Sequence, residues 1–181
     1  PKQNGFGSMV RSRYLEEYTS APERLRGVIA FEGRTGDEVF DIMGDPDRIT
    51  DWYLLAKTVH HHPPAPDGEA RFNVEFTFFG NVFEEVLLWE APDRYVYRAT
   101  GPDFPIQDYI AEISVEMTGE KTGKMTWSMY FDTIEGQEFQ RILPTVLPAI
   151  NEASLRKLAP MLSGELVTCI HDFSGLEVDA T

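Results

Sequence analysis

The sequence predicts an α+β protein, with a curved antiparallel sheet wrapped around one long C-terminal helix and two short helices after the first strand. Three observations predict it. Between Tyr53 and Ile134 apolar residues recur at every second position in successive stretches joined by turn residues, with no helical pattern between them. From about Gln137 to Leu162 the period changes: Phe139, Ile142, Leu143, Val146, Leu147, Ile150, Ala153 and Leu158 recur at three- and four-residue spacing, as on a helix that buries one face. Ahead of the strands stand two helix-start signals, Thr35-Gly36-Asp37-Glu38 and Asp45-Pro46.

Taken in order, residues 1–24 read as an N-terminal arm. Within it, residues 1–8 suit an expression-derived leader before a native start at Met9, and Tyr14, Leu15 and Tyr18 are the only large apolar anchors. Residues 25–163 form the domain. Gly27 to Glu32 is a short apolar run bounded by glycines, a first strand. Thr35 and Glu38 have capping-box spacing, and Val39, Phe40 and Met43 give the following helix an apolar face that Gly44 ends. Asp45 caps a second helix that carries Ile49 and Trp52 inwards.

Strands are then expected at Leu54 to His62, Arg71 to Phe79, Val82 to Trp89, Arg94 to Thr100, Ile106 to Met117 and Lys124 to Ile134, an antiparallel meander. In the last helix Pro144 and Pro148 each remove a backbone donor, so a kink or local opening is expected, either as a bent surface helix or as a hinged gate over a cavity. Residues 164–181 read as a C-terminal tail that closes a cavity mouth or pairs with a neighbouring subunit.

Composition bounds the function. With 42% hydrophobic and 12% aromatic residues the chain can fill a substantial core as one domain. Sixteen basic against thirty acidic residues give a net charge of -14, which repels phosphate backbones and anionic membranes, so nucleic acid is not an expected partner. No apolar run is long enough for stable membrane insertion, no signal-peptide pattern stands at the start, and the single Cys169 cannot form an internal disulfide; a cytoplasmic protein is expected. Gly-rich phosphate loops, Gly-x-Ser-x-Gly elbows and zinc motifs do not occur, and no cofactor is expected.

The strand pattern nominates inward residues. Phe72, Val74, Phe76 and Phe78 alternate with polar neighbours, as do Met125, Trp127, Met129 and Phe131. The strand from Val82 is equally apolar on both faces, and the hairpin decides between them. If Gly80-Asn81 is a two-residue turn, Phe79 pairs with Val82 and Phe78 with Phe83, which places Glu85 on the inner face between Phe83 and Leu87. A carboxylate there is either a ligand anchor or general acid/base, or it is paired with a rim cation. Tyr95, Tyr97 and Tyr109 fall inwards if Val96 and Arg98 face out, as a cavity for an oxygenated aromatic molecule requires.

The order of strand, two short helices, curled sheet and long helix, with Asp45-Pro46-Asp47-Arg48 leading to Trp52, Glu85 followed by Ala91-Pro92-Asp93-Arg94-Tyr95, Tyr109 opening a long strand and Trp127 in Thr126-Trp127-Ser128, resembles the helix-grip fold of the START-like (SRPBCC, Bet v 1-like) superfamily, from about Gly27 to Leu162. It is similar to the polyketide cyclase/dehydrase and lipid-transport branch. The resemblance implies a hydrophobic cavity between sheet and helix for a small aromatic or lipid-like molecule, with Glu85 and Tyr109 matching positions that hold a ligand's polar groups in related hormone receptors. Arg71 and Arg98 fall on the outer face, against a cyclase mechanism of the arginine-bearing kind.

The expected ligand-binding set is therefore Trp52, Leu54, Phe76, Phe83, Glu85, Leu87, Tyr97, Tyr109, Trp127, Met129, Phe139, Leu143 and Leu147, with Glu85 the sole catalytic candidate. His60-His61-His62 lacks acidic or sulfur ligands at useful spacing, so no metal site is expected, and Cys169 near His171 reads as a buried free thiol. Three functions compete. The first is binding of a hydrophobic small molecule, and the second is cyclase or dehydratase chemistry in the same pocket. The third is a protein-interaction module of the toxin-antitoxin or co-chaperone type. The first two predict a cavity of a few hundred cubic ångströms or more and the third a filled interior with an exposed apolar patch. A homodimer is compatible with each.

Overall fold

A computed structural model of the chain describes residues 14–64, 66 and 71–176. The expected leader at residues 1–8, half of the Pro63 to Gly68 turn and the end of the tail lie outside the described residues. Three α-helices and ten strands follow in the order β1 (Glu23–Glu32), α1 (Gly36–Met43), α2 (Ile49–Trp52), β2 (Ala56–His62), β3 (Arg71–Phe76), β4 (Gly80–Glu90), β5 (Arg94–Thr100), β6 (Ile106–Gln107), β7 (Tyr109–Met117), β8 (Thr122–Tyr130), β9 (Thr133–Ile134), α3 (Gln137–Met161) and β10 (Gly164–His171). Eight strands form one antiparallel sheet in the order β10-β1-β8-β7-β5-β4-β3-β2, and α3 lies across its concave face. This is the α+β helix-grip fold. Among the described residues no helix is long and apolar enough to cross a membrane.

The local signals act as their chemistry dictates. Thr35 Oγ1 accepts from the Glu38 amide while the Glu38 carboxylate accepts from the Thr35 amide, a complete capping box at α1. Asp45 caps the turn Pro46–Arg48 that leads into α2. The helix α3 runs unbroken through Pro144 and Pro148. Asp108 takes a positive φ of 50°, which ends the pairing with the main sheet; the expected strand from Ile106 to Met117 is thus two, and Ile106 and Gln107 pair with β9 instead.

The tail is more ordered than its sequence announces. From Gly164 it pairs along β1, from Leu25 opposite His171 to Phe31 opposite Gly164. Arg24, buried at 4% exposure, then donates to the backbone carbonyls of Phe131, Asp172 and Ser174, while Phe173 and Leu176 pack on the core. On the convex face, Leu15 and Ala21 of the arm cover Val96, Ile110 and Tyr130.

Register corrects one expectation. Phe76 pairs with Gly80, Val74 with Val82 and Phe72 with Glu84, so residues 77–79 form a three-residue loop closed by Gly80 at φ 60°. Phe79 and Phe78 do not pair with Val82 and Phe83. The slip relative to a two-residue turn is odd, so it exchanges the two faces of β4: Val82 and Glu84 turn inwards, Phe83 and Glu85 outwards. A bulge between Val86 and Leu88 exchanges the faces again, so that Trp89 joins the inner wall while Leu87 and Leu88 both pack under the arm.

Candidate functional site

Between the concave face and α3 lies a cavity of about 100 Å³. It is smaller than the few hundred cubic ångströms expected, because aromatic side chains occupy much of the space. Trp52 meets Trp127 edge-on at 5.4 Å between ring centres, Tyr53 meets Phe76 at 5.6 Å and Trp127 at 5.9 Å, and Phe104 meets Tyr109 at 5.7 Å. Each crosses its neighbour at a steep angle, the favourable arrangement for ring quadrupoles.

The structure brings Trp52, Phe76, Tyr97, Tyr109, Trp127, Met129 and Leu147 to this cavity. It does not bring the other expected residues there. Leu54 is 50% exposed beyond α2, with only its amide engaged, donating to Ser154 Oγ. Phe83 and Glu85 are on the convex face through the register slip, where Glu85 lies 3.8 Å from Arg98 and both are about half-exposed. Leu87 follows them to that face through the same slip. Phe139 and Leu143 belong to the core but sit two turns and one turn, respectively, before Leu147, the residue of α3 that reaches the cavity. Arg71 and Arg98 do face outwards, and both flank Glu85.

The residue that sequence reasoning missed is Glu84. It enters the cavity from β4, and burial among apolar and aromatic groups pushes its carboxyl from 4.5 up to about 8. Neither a hydrogen bond nor an ion pair joins it to any described residue, and it lines the cavity while staying partly accessible. The hydroxyls of Tyr53, Tyr95, Tyr97 and Tyr109 are all raised first by burial and further by Glu84 once it ionises, Tyr97 and Tyr109 also by neighbouring tyrosines. At neutral pH the cavity thus holds a protonated carboxylic acid, a group that can donate a hydrogen bond or yield a proton. The glycine closing a three-residue loop, Gly80, was the signal that could have found it.

The tyrosines are anchored. Tyr53 donates to Asn151 Oδ1 on α3 at 3.0 Å, and Tyr95 donates to the Met43 carbonyl at 2.5 Å. Tyr97 accepts from the Trp127 indole at 3.2 Å and bonds the Tyr109 hydroxyl. Elsewhere, the histidines of β2 are occupied at the surface: His61 Nε2 lies 2.7 Å from Asp47 Oδ1 and His62 Nε2 2.5 Å from Asn73 Oδ1. Cys169, half-buried on β10, has its thiol pushed up chiefly by burial, the reverse of activation.

Comparison with known proteins follows from this geometry. Several solved structures share the fold at low identity. The chain is similar to the Zhui aromatase/cyclase from Streptomyces sp. R1128, with TM-score 0.62, 12% identity, and coverage of 78% of this chain and 92% of that one. A START superfamily protein from Mycobacterium smegmatis matches with TM-score 0.61 and 8% identity over 78% and 97% of the two chains. A norcoclaurine synthase point mutant from Thalictrum, solved with a transition-state analogue, gives TM-score 0.57 and 14% identity over 80% and 96%. A sequence comparison with curated proteins finds no match. The profile described as polyketide cyclase/dehydrase and lipid transport matches residues 24–162, most of the chain and all of the cavity's lining. By that match the protein belongs to the polyketide cyclase/dehydrase and lipid transport family.

Proposed function

We propose that the protein binds a small hydrophobic molecule, aromatic or polyketide-like, in the cavity between the sheet and α3, with the molecule's polar end at Glu84. The observation that carries this reading is a carboxyl without a partner among the described residues, inside an aromatic-walled cavity. Burying such a group costs folding free energy, so a ligand that pairs with it has binding energy waiting for it. The tyrosine, tryptophan and phenylalanine faces supply the apolar contact. A cavity of roughly 150 Å³ takes up a molecule of benzene's size; at about 100 Å³ this one admits a single ring only as α3 or its neighbours yield.

A second reading, an enzyme of the cyclase or dehydratase type, is supported by the same side chain. An acid near 8 exchanges its proton readily around neutral pH, as a general acid or base must. The catalytic candidate is therefore Glu84 rather than Glu85.

Native mass spectrometry of freshly purified protein, followed by denaturing extraction, tests the binding reading. A co-purifying small molecule that is lost from Glu84→Gln supports it. A protein that is empty and ignores a panel of hydrophobic dyes refutes it. With the extracted molecule in hand, an enzyme requires turnover that Glu84→Gln abolishes, whereas a binding protein leaves the molecule unchanged.

A further inference from the structure

Resting on the cavity reading above, we infer that the molecule this cavity accepts carries a protonated amine on a body no larger than a single ring, and that the ammonium meets Glu84 as an ion pair among aromatic faces.

The first argument is the charge inventory. Among the described residues that line the cavity Glu84 is the acid, Tyr53, Tyr95, Tyr97 and Tyr109 are the other titratable groups, and no lysine, arginine or histidine is present. A cavity for a carboxylate, a phosphate or an enolate needs a fixed positive charge or a fan of donors to offset the anion's desolvation. Here an anion would find no positive charge among the lining residues, and its presence would hold Glu84 neutral rather than pair with it.

The second argument is the direction of the hydrogen bonds. Tyr53 spends its proton on Asn151 and Tyr95 on the Met43 carbonyl, which leaves their oxygens as acceptors. Tyr97 and Tyr109 bond one another. One proton of that tyrosine pair and the Glu84 proton remain as donors, and against these two the wall presents the oxygens of four tyrosines and of Glu84, a surplus of acceptors. An ammonium brings donors and no acceptor, so it complements that wall, whereas a ketone or ester brings only acceptors.

The third argument is the wall itself. Trp52, Trp127, Tyr53 and Phe76 line the space in mutual edge-to-face contact, and the ring quadrupole attracts a cation over its face most strongly where water is excluded. The net charge of -14 also raises the local concentration of cations outside the mouth.

Proton balance gives the inference a signature. In the empty protein Glu84 carries a proton at neutral pH. When an ammonium pairs with it, the carboxyl ionises and the proton leaves to solvent: Glu84-COOH and R-NH3+ become the carboxylate-ammonium pair and one free proton. A neutral ligand that accepts a hydrogen bond from Glu84 releases none.

Benzylamine, benzyl alcohol and benzoate share one shape and differ in charge, so they form the test. Titration calorimetry of the full chain near neutral pH, in buffers of different protonation enthalpy, reads affinity and proton release together. The expected result is benzylamine bound at least about tenfold more tightly than benzyl alcohol, benzoate not bound, and close to one proton released per amine. In Glu84→Gln the preference for the amine is lost while benzyl alcohol still binds, which shows that the variant's cavity is intact. Benzyl alcohol binding as tightly as the amine, with no proton released, overturns the amine inference and leaves the cavity reading standing. Failure of all three to bind, with no hydrophobic dye taken up, overturns both.

Discussion

Replacing Glu84 by glutamine tests the cavity's electrostatics without any ligand. Burial raises this carboxyl from 4.5 to about 8, so between those values the folded protein holds a proton that the unfolded chain has released. Its contribution to stability is present in full below the lower value and is lost as pH rises, at about 1.4 kcal/mol per pH unit, until the folded carboxyl ionises near the upper one. The whole loss is on the order of 4 kcal/mol, a large share of a typical domain's stability. Glutamine keeps the size of the neutral acid and never ionises, so the loss should vanish. Urea denaturation of both proteins from about pH 5 to about pH 9 measures it. Glu112, on the convex face, is pushed by burial to about 7 and weakens the fold in the same direction, but it is common to both proteins and cancels in the difference. The stability of Glu84→Gln relative to the parent is expected to grow by on the order of 4 kcal/mol across this range. A difference that stays flat to within about 0.5 kcal/mol would refute the placement of a neutral acid in the cavity.

Three further perturbations probe the surrounding frame. A Cβ at Gly27 would lie 2.1 Å from Leu155 Cδ1, and Leu155 is 1% exposed, so Gly27→Ala should cost about 1–3 kcal/mol in chemical denaturation by pushing α3 off β1. Arg24→Met removes the donors that hold the carbonyls of Asp172 and Ser174; amide exchange across residues 172–176 should accelerate, with about 1–3 kcal/mol lost overall, and unchanged exchange would show the tail held by Phe173 and Leu176 alone. Glu85→Gln breaks only a half-exposed pair with Arg98 and should change stability by less than about 0.5 kcal/mol and ligand uptake not at all; a larger effect would return the functional acid to position 85.

The elements were legible where one local signal sufficed. The capping box at Thr35, the cap at Asp45 and the periodicity of α3 each depend on residues within a turn or two, and all appear as the sequence predicts. The tyrosines of β5 and β7 were placed inwards correctly because Val96 and Arg98 leave no alternative for that strand. The acid that enters the cavity was not legible in the same way. In β4 both faces are apolar, so side-chain pattern carries no information about orientation, and the decision passed to the length of one loop. Thr77-Phe78-Phe79 reads as strand by propensity but turns, and this odd slip replaces Glu85 with Glu84. The bulge at Leu87 has no turn residue to announce it, and β10 reads as a loose tail because its apolar positions are few and its partner, β1, is more than a hundred residues away.

That bulge also sets the size of the smallest piece that can fold. By turning Leu87 and Leu88 to the convex face together, it makes the outside of the sheet apolar over Val96, Ile110 and Tyr130, and this surface is roofed by Leu15 and Ala21, which precede the family-matched region. At the other boundary, removing residues past 162 strips the partner from the whole length of β1 and leaves a bare sheet edge. A fragment cut to residues 24–162 would carry every cavity residue and still aggregate, through an uncovered face and an unpaired strand. The family-matched stretch is therefore shorter than the packed unit, and the two flanks outside it supply the cover of one face and the partner of one edge.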